Sequence, residues 1–158
     1  MNKYRTELKW ALIFTGMMFL WMIGERLTGL HDVHIDKHPI FTNFVAIPAI
    51  IIFVLALREK RDKDLDGKMT WMQGFISGLI ISVIIAVLSP LMQFITLTYV
   101  SPQYFENAIA YSVESGNATQ EEAESFFNLN SYLIMGAIGS IFMGMVTSAI
   151  VAIFVRKS

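Results

Sequence analysis

Residues 30–40, "LHDVHIDKHPI", contain every histidine of the chain, His31, His34 and His38, interleaved with Asp32 and Asp36. Imidazole and carboxylate together are the donor mix that holds zinc, iron or manganese. On a helix, spacings of three and seven would gather the three rings within about 60° of one face; an extended chain would instead align His34, Asp36 and His38. Glu25 or the second aspartate would complete a ligand shell. No recognised ligand motif such as HExxH is present. A hinge between two membrane helices also collects polar residues without any chemical purpose. The stretch therefore reads first as a polar, pH-responsive turn, and second as a divalent-metal site built from His31, His34, His38, Asp32 and Asp36. Nothing in the chain forms a serine, cysteine or lysine nucleophile constellation, so no catalytic residue and no organic cofactor is assigned.

A second acidic motif, "DKDLDG" (Asp62, Asp64, Asp66, Gly67), reproduces the first half of an EF-hand loop. Such a loop needs a bidentate glutamate at its twelfth position, and Gln73 stands there. Five cationic residues crowd the same segment (Arg58, Lys60, Arg61, Lys63, Lys68) and oppose Ca²⁺. A mixed-charge loop explains it better.

What must position these residues is a set of long apolar elements. Of 158 residues, 54% are hydrophobic and 16% charged, with a mean hydropathy of +0.54; a soluble domain holds about 45–50% apolar residues. The charges are segregated. No charge interrupts the 37 residues between Lys68 and Glu106, the 31 between Glu124 and Arg156, or the 19 from Pro39 to Leu57. A crossing needs about 20 apolar residues. Trp10 to Gly24 is shorter, and reaches spanning length if Lys9 snorkels and the Glu25–Leu30 turn sits at the interface. Four spans result, over approximately 9–30, 39–57, 70–99 and 130–155, forming one transmembrane domain over 1–158. The first is read as an uncleaved helix rather than a signal peptide, because no small-residue cleavage site follows it. Cysteine is absent, which excludes disulfides and thiolate metal sites.

Of the Lys and Arg residues, ten lie in the N-terminal tail, the 58–68 loop and the C-terminal end, and two, Arg26 and Lys37, lie in the other loops. The positive-inside rule then places both termini and the 58–68 loop in the cytoplasm. The histidine turn and the 100–129 loop, with five glutamates and no base, face outwards.

Within the spans, Pro48 and Pro90 each free a carbonyl four residues back, which calls for helix partners. Small residues recur every fourth position: Gly74, Gly78, Ser82 and Ala86 on the third span, and Gly136, Ser140, Gly144, Ser148 and Ala152 on the fourth. Such stripes let backbones approach closely. They bury each other in one hairpin or form a homodimer seam, since the same stripe cannot easily serve both. The outer loop reads as two short helices. The first has Ser101 as N-cap before Pro102, a greasy face of Phe105, Ile109 and Val113, and a stop at Gly116. The second opens on the capping box "TQEE", Thr119 to Glu122.

The order "WMIGERLTGLHDVHIDKHPIFTNFVAIPAI", "GKMTWMQGFISGLIIS", "YVSPQYFENAIAYSVESG" and "AIGSIFMGMVTSAIVAIF" resembles an uncharacterised bacterial family of small four-span integral membrane proteins, a domain-of-unknown-function family. The resemblance covers nearly the whole chain, including the histidine turn. It implies a bacterial inner-membrane location and the same all-α, four-helix topology, with a short external two-helix segment between spans 3 and 4; it carries no activity with it. The leading expectation is a non-enzymatic, self-associating or accessory membrane subunit in the bilayer, paired as a homodimer or with a larger envelope protein, and with no nucleic-acid partner. A small transporter or channel is the second reading, and a metal-binding membrane enzyme or sensor using the external His turn is the third.

Overall fold

The computed structural model describes residues 4–157; Lys3, one of the basic residues counted above, and Ser158 lie outside them. The fold is all-α. Helix α1 is Arg5–Leu27, α2 Ile35–Asp64, α3 Trp71–Val100, α4 Tyr104–Glu114, α5 Gln120–Phe126 and α6 Leu129–Val155. Of these, α1, α2, α3 and α6 are long and apolar enough to cross a membrane. Large apolar side chains cover their outer surface: Leu20, Val87 and Phe154 are 69%, 73% and 81% exposed. A girdle of that extent suits lipid rather than water. Among the described residues there is no strand, only one antiparallel bridge in which Met69 and Lys157 exchange backbone hydrogen bonds of 2.8 and 2.9 Å.

The two small-residue stripes face each other. A Cβ built at Gly78 would lie 2.5 Å from Ser148 Cβ, and one at Gly144 2.5 Å from Ser82 Cβ; one at Gly74 would lie 3.1 Å from Ala152 Cβ. Antiparallel α3 and α6 thus interlock glycine against serine along one seam. The serines keep their hydroxyls satisfied within their own helices: Ser82 Oγ donates to Gly78 O at 2.7 Å and Ser148 Oγ to Gly144 O at 2.5 Å. In lipid no water would do this. Ser140 donates likewise to Gly136 O at 2.6 Å.

At the basic end α1 and α2 complete the bundle. Phe53, Ala56 and Leu57 of α2 pack with Ala11, Ile81 and Val151. Glu7, placed outside the first span by the sequence, is buried in α1 and meets Lys60 Nζ and Ser77 Oγ, each at 2.9 Å from Oε1. Helix α1 starts at Arg5 rather than near residue 9, because those partners neutralise the carboxylate and let the first turn join the core. Lys9 and Trp10 bond Glu59 on α2, and Arg61 Nη1 donates to Val155 O at 3.0 Å, closing the end of α6. Asp62 and Asp64 pair with Arg61 and Lys60, so the DKDLDG carboxylates serve ion pairs in the loop.

Towards its N-terminal end α2 parts from its neighbours. Ile52, Phe53, Ala56 and Leu57 are buried, whereas Ile40, Phe41, Phe44, Ile47 and Ile51 are exposed. Pro48 lies at the change, and the turn before it, Thr42–Val45, is wound as a 3-10 helix. Without an N–H at Pro48 the Phe44 carbonyl loses its regular partner, and the axis is free to change direction. Over the connecting segment, α5 begins on the capping box formed by Thr119 and Glu122, and α4 ends before Gly116 in the left-handed region (φ 72°). Ser101, however, is not the cap of α4. The helix begins at Tyr104, and the buried Ser101 hydroxyl turns to His31 instead.

Replacing Gly78 or Gly144 by Ala puts a methyl group into the opposing serine and is expected to destabilise the bundle by about 1–3 kcal/mol. Gly139→Ala, where an added Cβ meets nothing within 4 Å, should leave stability unchanged or slightly raised. Unfolding titrations in detergent measure this; equal effects at all three glycines would mean the seam is not the close contact described.

Candidate functional site

Helix α1 ends at Leu27, two residues beyond Glu25. Thr28 turns its hydroxyl back to the carbonyls of Gly24 and Glu25 (2.9 and 3.1 Å), and Gly29 adopts φ 79°. A Cβ there would lie 2.7 Å from Val33 Cγ2, so both conformation and space demand glycine. The chain doubles back through His34 N to Gly29 O at 2.8 Å, and Asn107 Nδ2 of α4 holds His31 O at 2.9 Å. These constraints turn His31 inward, over Glu25. His38, just before Pro39, enters from the start of α2.

Glu25 Oε2 lies 3.3 Å from His31 Nε2 and 3.5 Å from His38 Nε2. One donor atom from each residue falls within 4.8 Å of the other two. Ligands held at about 2.1 Å around a tetrahedral ion lie about 3.4 Å apart. The separations of the carboxylate from the two imidazoles therefore match edges of such a coordination shell. The other carboxylate oxygen accepts from Trp21 Nε1 at 2.7 Å, and Thr42 also bonds the carboxylate. His31 Nδ1 meets Ser101 Oγ at 2.7 Å, an outer partner of the kind that orients metal-ligating imidazoles. Glu25 and His31 are buried and His38 is partly so. The Tyr104 ring lies 5.0 Å from that of His31 and 5.6 Å from that of His38, forming a lid over both. Its hydroxyl meets that of Tyr132 at 3.1 Å; burial pushes the Tyr104 phenol above its ordinary range, which keeps it neutral.

Of the residues singled out from the sequence, His31 and His38 come together. His34 and Asp36 are exposed and belong to no cluster with them. Asp32 pairs with Arg26, and its carboxyl is held below the usual range by the Val33 N–H at 2.6 Å and by that guanidinium. The carboxylate of the cluster is Glu25. Its sequence signal is an acid interrupting an apolar run. Ser101, Trp21, Thr42 and Tyr104 gave no such signal; they become neighbours only when α1, α2, α3 and α4 are assembled.

Beneath the cluster lies a cavity of about 380 Å³. Phe14, Met18 and Met22 of α1, Met92 and Leu97 of α3 and Met135 of α6 form its apolar wall. Glu25, His31 and His38 form one polar end.

A family model described as "Protein of unknown function (DUF4199)" matches residues 9–157. No curated protein and no solved structure matches the chain significantly.

Removing the acceptor in Glu25→Ala strands the Trp21 N–H and is expected to lower stability by about 1–3 kcal/mol. His34→Ala and Asp36→Ala, at exposed positions, should stay within about 0.5 kcal/mol of the parent. Thermal unfolding of the three variants in one detergent checks the contrast, and a loss at His34 equal to that at Glu25 would refute the placement.

Proposed function

This chain belongs to the DUF4199 family of proteins of unknown function, and we propose that it is a non-enzymatic accessory or sensor subunit of the bacterial inner (cytoplasmic) membrane that holds a divalent transition-metal ion between Glu25, His31 and His38. The observation that carries this reading is the convergence of one carboxylate oxygen and two imidazole nitrogens within 4.8 Å of one another, two of the three residues being buried. Two nitrogens and one oxygen suit zinc, iron(II) or manganese(II). His31, braced by Ser101, and Glu25, braced by Trp21, would need little reorganisation to bind.

The sidedness follows from the basic residues. The 58–68 loop, the N-terminal tail and the C-terminal end face the cytoplasm, and the metal centre with α4 and α5 faces outwards. Self-association through the small-residue stripes loses its support, since α3 and α6 occupy them in one hairpin. A protein partner, whether a second copy or a larger envelope protein, would have to dock on the lipid-facing surface. Translocation is disfavoured because Ala11, Phe53, Ile81 and Val151 pack together between the cavity and the basic end.

Two measurements test the proposal. Purified protein should carry about one zinc, iron or manganese per chain, retained in His34→Ala and lost in His31→Ala and His38→Ala. Metal-free parent that gains neither occupancy nor thermal stability from micromolar zinc would refute the metal site. A reporter inserted at Asn117 should read as external and one at Asp64 as cytoplasmic; the reverse would overturn the sidedness alone.

A further inference from the structure

The cavity below Glu25, His31 and His38 has a shape and a charge balance that together select a ligand. Its wall follows α1 from Phe14 to Glu25, about 16 Å at the helical rise per residue. Two of the hydroxyl groups that touch it are engaged within their own helices: Thr15 donates to Ala11 O at 2.8 Å and Ser140 to Gly136 O at 2.6 Å. Gln93 Nε2 likewise bonds Ser89 Oγ at 3.1 Å. What remains is a largely apolar trough, with Glu25, His31 and His38 among its polar groups and with Ser89 and Gln93 on α3. It exists because α2 turns away beyond Ile52, while α1 and α6 each pack on α3 but scarcely on each other. Met135, 44% exposed, is at once a wall of the trough and part of the lipid-facing surface, so an occupant can enter from the bilayer.

Glu25 is the only acidic residue among those lining the cavity, and no lysine or arginine lines it. A divalent ion held by one carboxylate and two neutral imidazoles keeps a net charge of about +1, which is costly in an apolar enclosure. Protein groups offer no second anion there. The missing counter-charge must come from an exogenous ligand that also accepts an apolar trough. We infer that the site binds an amphipathic monocarboxylate, a fatty-acid anion, whose carboxylate oxygen enters the coordination shell of the ion while its chain lies along Met22, Met18 and Phe14. This rests on the metal reading above. Tyr104 and Tyr132 also line the cavity; their hydroxyls share one hydrogen bond, which leaves one phenol proton to donate to the second carboxylate oxygen.

The test uses the full chain in nanodiscs loaded with Co²⁺, whose visible absorption reports the ligands of the ion. Addition of laurate should change the spectrum, and methyl laurate, which carries no charge, should not. The preference should reach about tenfold in affinity, the effect of one charge-assisted contact. Met18→Trp, which fills the trough away from the ligands, should keep the cobalt and lose the laurate response. Acetate should act at least about tenfold more weakly than laurate, since it lacks the buried chain. Cobalt present in the parent with no response to laurate, an equal response to the ester, or an equal response to acetate would each overturn the fatty-acid inference and leave the metal site standing. Parent protein that takes up no cobalt would instead sink the metal reading on which it rests.

Discussion

Close approach of α3 and α6 is the constraint on which the other positions depend. Lipid gives two apolar helices no hydrophobic reason to associate, so contact has to come from backbone proximity and dense packing. Glycine opposite serine, at Gly78–Ser148 and Ser82–Gly144, supplies that proximity without leaving a hydroxyl unpaired. Once this hairpin is set, Trp71 reaches across to Ala149 O at 3.0 Å, and the Met69–Lys157 bridge closes the same end. Helices α1 and α2 then have one groove each to fill. The bundle is tight at the basic end, where Ala56, Leu57, Val151 and Ala152 are buried together, and loosens towards the other.

That gradient in packing creates the cavity. Pro48 relieves α2 of a regular hydrogen bond at the level where its side chains change from buried to exposed. The space that α2 vacates is not left empty of chemistry, because the loop that precedes α2 folds His31 and His38 over its mouth. A stiff connection would have kept the imidazoles in the interfacial water. Gly29 at positive φ and the Asn107 bond to the His31 carbonyl give the loop its return path.

Much of the architecture was legible because its causes are periodic or compositional. Gaps between charges marked four spans, four-residue recurrences marked the seam, and Thr119 with Glu122 marked the start of α5. The misreadings fall where a residue's role depends on distant partners. Ser101 has the local chemistry of an N-cap, yet a buried imidazole nitrogen from a loop seventy residues away in the chain competes for its hydroxyl and wins. Glu7 lies outside the span drawn over residues 9–30, because its cation, Lys60, stands on another helix. At the centre itself, the spacing of the histidines suggested that all three share a face. The turn at Gly29 and the 3-10 start of α2 instead send His34 outwards, and the carboxylate comes from the preceding helix rather than from the interleaved aspartates.

The two buried glutamates of α1 are balanced in different ways. Glu7 is met by Lys60 Nζ at 2.9 Å and by the Ser77 hydroxyl at the same distance. A fixed cation on a packed helix balances it permanently. Glu25 is equally enclosed, but its neighbours are an indole N–H, a threonine hydroxyl and two imidazoles. None of them carries an obligatory positive charge. Arg26, adjacent in sequence, points away and is bound to Asp32. A buried carboxylate without a fixed counter-ion is expensive in a low-dielectric site, and in the metal reading proposed above the bound ion supplies the missing charge. The pairing with Asp32 keeps the Arg26 guanidinium occupied. Glu25 is thereby left to its imidazole neighbours, beside a cavity of about 380 Å³.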